Sequence, residues 1–459
     1  MNGKIRYLGL AAIMATLMAC SDDDNQTPQQ VVEPTEPPAP ANAFLRVTHA
    51  SPDAPAVNVL ANGDILGGLE GVGYQVSSGW LTVPEATYDV QVDALLPDSS
   101  TAAVITASLA LGGDKTYDVI AVDTTANIMP LVIENDFTPV TAGNVRVQVV
   151  HAAPNAPEVD IYVTAPDADL TAEQALATAA FMGFTGQVEV PAGDYQIRIT
   201  PAGDSTVVFD SGTLPLADGA DLLVMATQSV AAGDSPVSLL VADGTASSVV
   251  LDADAGASLR VVHSVADAPA VDVIANNEAV LVDAAPFLAG TGYLAVAAAD
   301  YLIDVAADAD NSIVVIDDAP VTLDNGGTYT AIANNTLANI ALDLVTDMPR
   351  PLATAAQVRI FHSSPAAGDV DIYVTADGDI ANVDPAFSAV PFSSPMLAET
   401  GYVQLTPGDY FVTVTVAGTK DAAIETGMLT LEAAKIYTAI AVDATGGGLL
   451  PQLILLDDF

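Results

Sequence analysis

All four histidines of this 459-residue chain occupy copies of one motif. The first copy runs Leu45-Arg46-Val47-Thr48-His49, then ASPDAP, then Val57-Asn58-Val59. The other copies place His151, His263 and His362 at the same point. Nine residues after each histidine stands Asn58, Asp160, Asp272 or Asp371. An imidazole with a carboxylate nearby can bind metal or act as a general base. Each copy supplies one histidine, so a two-histidine metal site would need two copies to meet. No HExxH, Walker-type loop, GxSxG elbow or CxxC accompanies them. The four histidines are therefore read as core residues and the chain as carrying no catalytic residues.

Two other groups could do chemistry. Tyr88, Tyr195, Tyr301 and Tyr410 each follow a glycine by nine residues. Their parity is that of a buried strand face, and the expectation is core packing with a hydroxyl that anchors a corner. Acidic pairs two residues apart include Asp308/Asp310 and Asp377/Asp379. Oxygens spaced this way suit calcium, which takes six to eight of them in irregular loops. No EF-hand loop accompanies them, so no cofactor is assigned and calcium remains the candidate ion.

The elements that carry these residues read as strands. In TYDVQVDA, Tyr88, Val90 and Val92 alternate with Asp89, Gln91 and Asp93, the period of a half-buried strand. Turn signals such as GGD, PAGD and NGG follow every 8–14 residues. The histidine shares the apolar face with Leu45 and Val47, which leaves Arg46 and Thr48 facing outward. The later Asp, flanked by Val or Ile, also reads as solvent-facing. If the two strands form a hairpin, Arg260/Asp272 and Arg359/Asp371 become exposed cross-strand pairs. One helix is expected, Thr171–Phe181, from the capping-box spacing of Thr171 and Gln174.

The motifs recur in register. Tyr117-Asp118-Val119-Ile120-Ala121 returns as Tyr329–Ala333 and Tyr437–Ala441, with Asp221–Ala226 as the departure in the second copy. Fixed offsets across four copies mark one unit used four times. His49 to His263 is 214 residues and His151 to His362 is 211, so a two-repeat unit is duplicated. The expected boundaries are 43–140, 143–253, 257–350 and 355–459. About seven strands in each repeat point to an all-β protein of four tandem immunoglobulin-like Greek-key β-sandwiches.

The run RVVH-S/A-x-x-DAP-x-VDV, with its VPAGDY turn and YTAIAV strand, resembles the uncharacterised bacterial family catalogued as domain of unknown function 4397. The resemblance covers residues 43–459. It implies secreted or lipid-anchored envelope proteins with sandwich-like domains and brings no catalytic residues. Asn58 departs from the family's Asp, and Gly368 from its Pro.

The N-terminus reads as an address. Lys4 and Arg6 precede the apolar stretch Tyr7–Met18, and Leu17-Met18-Ala19-Cys20 looks like a lipobox. It implies a signal peptide over 1–19 and lipidation of Cys20, the only cysteine, with several acyl chains giving stable anchoring. Residues 20–42, rich in proline and polar residues, read as a flexible tether. Ser21 suits outer-membrane sorting in the bacterial cell envelope. The net charge of −47 argues against nucleic acid as a partner. The combined reading is a non-catalytic, lipid-anchored envelope protein. It presents modules for binding, adhesion or spacing, with an envelope polysaccharide or protein as ligand. Two alternatives are a calcium-stiffened stalk and an envelope-polymer or carbohydrate-processing enzyme.

Overall fold

The computed structural model describes residues 41–458. The leader, Cys20 and the tether as far as residue 40 lie outside the described residues. Within them, regular structure is all strand apart from three single-turn 3-10 segments. No helix is long and apolar enough to cross a membrane among the described residues.

The first repeat shows the plan. Its strands are β1 (Asn42–His49), β2 (Val57–Ala61), β3 (Asp64–Ile65), β4 (Val76–Ser77), β5 (Leu81–Pro84), β6 (Ala86–Leu95), β7 (Thr101–Leu111), β8 (Lys115–Val122) and β9 (Met129–Asp136). One sheet runs β4-β1-β8-β9 with β5 beside β1, and the other runs β3-β2-β6-β7. β1 is antiparallel to β5 but parallel to β8, with Val47 opposite Val119. The same parallel pair joins Asn144–His151 to Asp221–Gln228, Ala257–His263 to Thr328–Asn334, and Ala356–Ser363 to Lys435–Val442. The chain is thus a run of all-β sandwiches, each with its histidine strand in the middle of one sheet. Alternation alone cannot distinguish a parallel neighbour from an antiparallel one, because side-chain period is two in both.

Two expectations are corrected. The histidine strand and the Asp strand lie in opposite sheets, so they form no hairpin and Arg260/Asp272 and Arg359/Asp371 are not cross-strand pairs. The predicted helix Thr171–Phe181 is a single 3-10 turn, Leu170–Ala172, followed by the strand Ala177–Ala179. Asp169 caps the turn by accepting from the Thr171 N–H at 3.0 Å. Ala177–Ala179 pairs with Val159–Thr164, and that tertiary pairing overrides the helix propensity of the Ala-rich segment.

Each sandwich buries its own apolar faces; in the first these are Leu45, Val47, Val57, Val59, Val92 and Ile105. The histidine-bearing sheets bury their second faces as well. Ile120, Val122, Leu131 and Ile133 of repeat one pack with Val150, Leu223, Met225 and Leu240 of repeat two. Val262 and Ile332 of repeat three pack with Phe361, Leu397, Ile440 and Ile454 of repeat four. Burying a side chain of this size contributes about 1.5–3 kcal/mol, so each junction is a core in its own right. Arg46 and Thr48, expected to face outward, are buried for this reason.

Candidate functional site

The histidine does the same thing four times. Nε2 meets the carbonyl oxygen six residues on: Pro55 at 3.0 Å, Pro157 at 2.9 Å, Pro269 at 3.0 Å and Gly368 at 2.6 Å. Nδ1 accepts from the N–H two residues on: Ser51, Ala153 and Val265 at 3.3 Å, Ser364 at 3.4 Å. A carbonyl can only accept, so Nε2 carries the proton and Nδ1 is bare, the neutral tautomer. An aromatic edge meets each ring at 6.0–6.4 Å: Tyr74, Phe181, Phe287 and Phe392. Burial lowers the pKa of all four, and that of His49 falls to about 4. Both ring nitrogens are spent on closing the loop between the two sheets. Gly368 serves as well as Pro because the bond is to its carbonyl.

The residue nine positions later is a latch on the other sheet. Asn58 Oδ1 accepts from Gly71 N at 2.8 Å and Asp272 Oδ1 from Ala284 N at 2.8 Å. Asp371 accepts from Ala389 N at 2.7 Å and Gly418 N at 2.8 Å. Asp160 accepts from Gly203 N at 2.8 Å and from the Thr178 hydroxyl. Asp272 and Asp371 are buried, not solvent-facing, because the neighbouring strand or turn covers them. The tyrosines anchor corners. The hydroxyls of Tyr88, Tyr195, Tyr301 and Tyr410 donate to the carbonyls of Pro84, Pro191, Ala297 and Thr406, four residues back, at 2.7–2.9 Å.

The arginines build the junctions. Arg46 Nε meets Asp118 Oδ1 at 2.6 Å, and its Nη1 donates to the Ala242 carbonyl of repeat two at 2.9 Å. Its guanidinium lies 4.4 Å from the Trp80 ring centroid. In the second pair the contact is reciprocal: Arg260 pairs with Asp458 of repeat four, and Arg359 with Asp347 of repeat three. Tyr293 and Tyr402 stand where Trp80 stands, 4.7 and 4.4 Å from their guanidinium groups. Repeat two has Gln148 at the arginine position and Gln187 at the aromatic one. Its Gln148 takes a neutral bond from Asn135 Nδ2 at 3.0 Å instead. Arg146, two residues earlier, reaches Glu189 at 3.1 Å and Asp221 at 3.2 Å. Burial raises the pKa of Asp118 and Asp458, which their arginines pull back down.

Sequence reasoning missed Asp118, Asp347, Asp458 and the aromatic platforms. The available signal was consecutive apolar pairs on the histidine strands, Val149-Val150, Val261-Val262 and Ile360-Phe361, which mark burial on both faces.

The acidic groups fall differently from their sequence spacing. Asp308 meets Asp272 and Asp283, not Asp310, and a second group joins Asp304, Asp317 and Asp318; in each the carboxylate oxygens lie within 4.8 Å of one another. Asp310 caps its own turn through Ser312 N–H at 3.0 Å. Asp377 accepts from Asp379 N–H at 3.1 Å, and Asp379 from Ala381 N–H at 2.8 Å. Each cluster offers three carboxylates where calcium takes six to eight oxygens.

These features define a class: tandem β-sandwiches whose repeated polar motif closes loops, latches sheets and joins neighbours. Residues 16–162 and 257–373 match the family model described as Domain of unknown function (DUF4397). The two stretches make up more than half of the chain, which belongs to this family. No curated protein matches it. Among solved structures, one similar chain is described as "Alpha-glucan recognition by family 41 carbohydrate-binding modules from streptococcal virulence factors". It is 13 % identical over 40 % of this chain and 92 % of that chain, with a TM-score of 0.16. Another is the Bacillus anthracis TIE protein, 10 % identical over 88 % of this chain and 69 % of that chain, with a TM-score of 0.15. Likenesses at these scores carry no functional weight.

Proposed function

We propose that this is a non-catalytic cell-envelope protein, held to the outer membrane through a lipid on Cys20, that presents two joined pairs of β-sandwiches for binding, adhesion or spacing. One observation carries the reading. The polar groups that all four repeats share have their hydrogen bonds spent within the fold: the histidines on loop carbonyls and the tyrosines on corner carbonyls. A repeated motif of this kind builds a scaffold. Its ligand, an envelope polysaccharide or a protein, meets other surfaces. The lipobox-like Leu17–Cys20 supports the anchor.

Metabolic labelling with palmitate tests the anchor. Wild type labels and sediments with membranes, and Cys20→Ser does neither. Labelling that survives Cys20→Ser contradicts it. Hydrolysis of any member of a polysaccharide panel by the purified chain overturns the non-catalytic reading.

A calcium-stiffened stalk is the second reading, favoured by the two carboxylate triads of repeat three. It requires a rise of several degrees in melting temperature with Ca²⁺, and no response removes it.

A further inference from the structure

We propose that the cavity between the motif loops of repeats three and four receives an arginine-bearing segment of a partner protein. The proposal rests on the non-catalytic reading and gives it a partner. The argument begins in repeat one, where the corresponding loop already holds a guanidinium. Arg350 Nη1 donates to the carbonyls of Pro52 at 3.1 Å and Ala54 at 2.8 Å. Its guanidinium lies 5.4 Å from the Tyr74 ring centroid. The segment continues with Leu352, 2 % exposed, and with Ala353 N–H donating to the Asp53 carbonyl at 2.8 Å. The second pair of repeats thus docks an Arg-Pro-Leu segment on the first pair's motif loop.

Repeat three presents the same loop, with Ala266, Asp267 and Ala268 at the offsets from His263 that Pro52, Asp53 and Ala54 have from His49. Here Ala266 and Asp267 of the loop line a cavity of about 320 Å³ together with Thr336, Asp443 and Gly446–Gly448. One loop carbonyl is already used, since Ala266 O accepts from Gly446 N at 2.8 Å. Carboxylates take over as acceptors. Asp443, 5 % exposed, accepts from the Ser364 hydroxyl and Ala366 N–H through Oδ1 alone. Asp267 uses only Oδ1, on Leu337 N–H at 2.7 Å. Gly446, Gly447 and Gly448 all have φ between +87° and +100°, a conformation that excludes most side chains and keeps the mouth clear. The cavity is therefore acidic, shaped by the loop that binds Arg350 elsewhere, and lined by carboxylate oxygens suited to a charge-assisted pair.

The occupant must come from outside. Every described Lys and Arg already has a partner: Arg46, Arg260 and Arg359 in the junctions, Arg146 on Glu189 and Asp221 within repeat two, Arg198 on Thr164 and Ala168, Arg350 on repeat one, Lys115 on Asp136, Lys420 on Val383, and Lys435 likewise engaged. Lys4 and Arg6 lie in the leader that the proposed function removes, and residues 20–40 contain no Lys or Arg.

The probe is a synthetic peptide of residues 346–355 of this chain, TDMPRPLATA, titrated calorimetrically onto the purified full-length chain at low salt. The expected result is one saturable site, weakened about tenfold or more by Arg→Gln in the peptide and weakened less by Arg→Lys. Thr336→Trp fills the cavity and abolishes binding while melting and circular dichroism stay as in wild type. Asp443→Asn weakens binding, and because it also touches Ser364, the Thr336 variant carries the test. Absence of binding, equal binding of the Arg and Gln peptides, or full binding by Thr336→Trp overturns the proposal. None of these results would disturb the palmitate or hydrolysis outcomes, so the two readings fail separately.

Discussion

Arg260 and Asp458, 198 residues apart in sequence, form a buried ion pair that joins the third sandwich to the last. Thr438 Oγ1 donates to the other Asp458 oxygen at 2.5 Å, so the carboxylate is held on both sides. Arg359 and Asp347 repeat the contact in the opposite direction, as a pseudo-symmetric interface requires. Removing one partner strands a buried charge. Asp458→Ala is expected to destabilise the second pair by about 3–5 kcal/mol, and the double variant Arg260→Met/Asp458→Leu by much less. Urea unfolding measures both. A double variant as weak as the single one would show that the loss is packing, not a stranded charge.

Trp80, the only tryptophan, reports on the first junction. Its backbone N–H donates to the Gly244 carbonyl at 2.8 Å. A Cβ on Gly244 would lie 2.2 Å from Trp80 Nε1, and Gly244 sits at φ +84°. Gly244→Ala should therefore shift Trp80 emission to the red and cost about 1–3 kcal/mol by overpacking. Unchanged emission would mean that the indole is not seated against repeat two.

The histidines set a pH dependence whose sign follows from burial. Their folded pKa values lie below the ordinary 6.5, that of His49 at about 4. Below pH 6.5 the unfolded chain binds protons that the folded chain refuses. The stabilisation is therefore complete above pH 6.5 and is lost as pH falls toward 4. The buried carboxylates Asp118, Asp221, Asp343 and Asp458 are raised by burial and act in the opposite sense, so total stability does not isolate the histidines. NMR of the His49 ring does: it is expected to stay neutral at pH 5. Titration near 6.5 in the folded protein would contradict the clamp.

The strands, the four-fold repeat and the placement of the histidine on an inward face were legible in the sequence, because period and spacing are local properties. The arginines were not. Arg46 and Arg260 alternate with apolar residues exactly as solvent-facing groups do, and only the packing of a second sandwich against that face buries them. Asp272 and Asp371 were misplaced for a related reason: which strand covers a side chain depends on sheet order, and alternation does not encode sheet order. The helix expected at Thr171–Phe181 failed where strand pairing outweighed propensity. The junction also explains a pattern visible in the sequence, that the one repeat without an arginine three residues before its histidine also lacks the aromatic after its glycine. Gln148 and Gln187 have no guanidinium to stack.

The central claim is that the repeats act as joined pairs, and differential scanning calorimetry of the full-length chain tests it most directly. At ~0.7 kcal/mol per residue, a cooperative unit of two repeats unfolds with a van't Hoff enthalpy of about 140 kcal/mol and a lone repeat with about 70. The predicted result is no cooperative unit smaller than a pair, with Gly244→Ala lowering one transition and Asp458→Ala the other. Four transitions of single-repeat enthalpy, unmoved by either substitution, would contradict it.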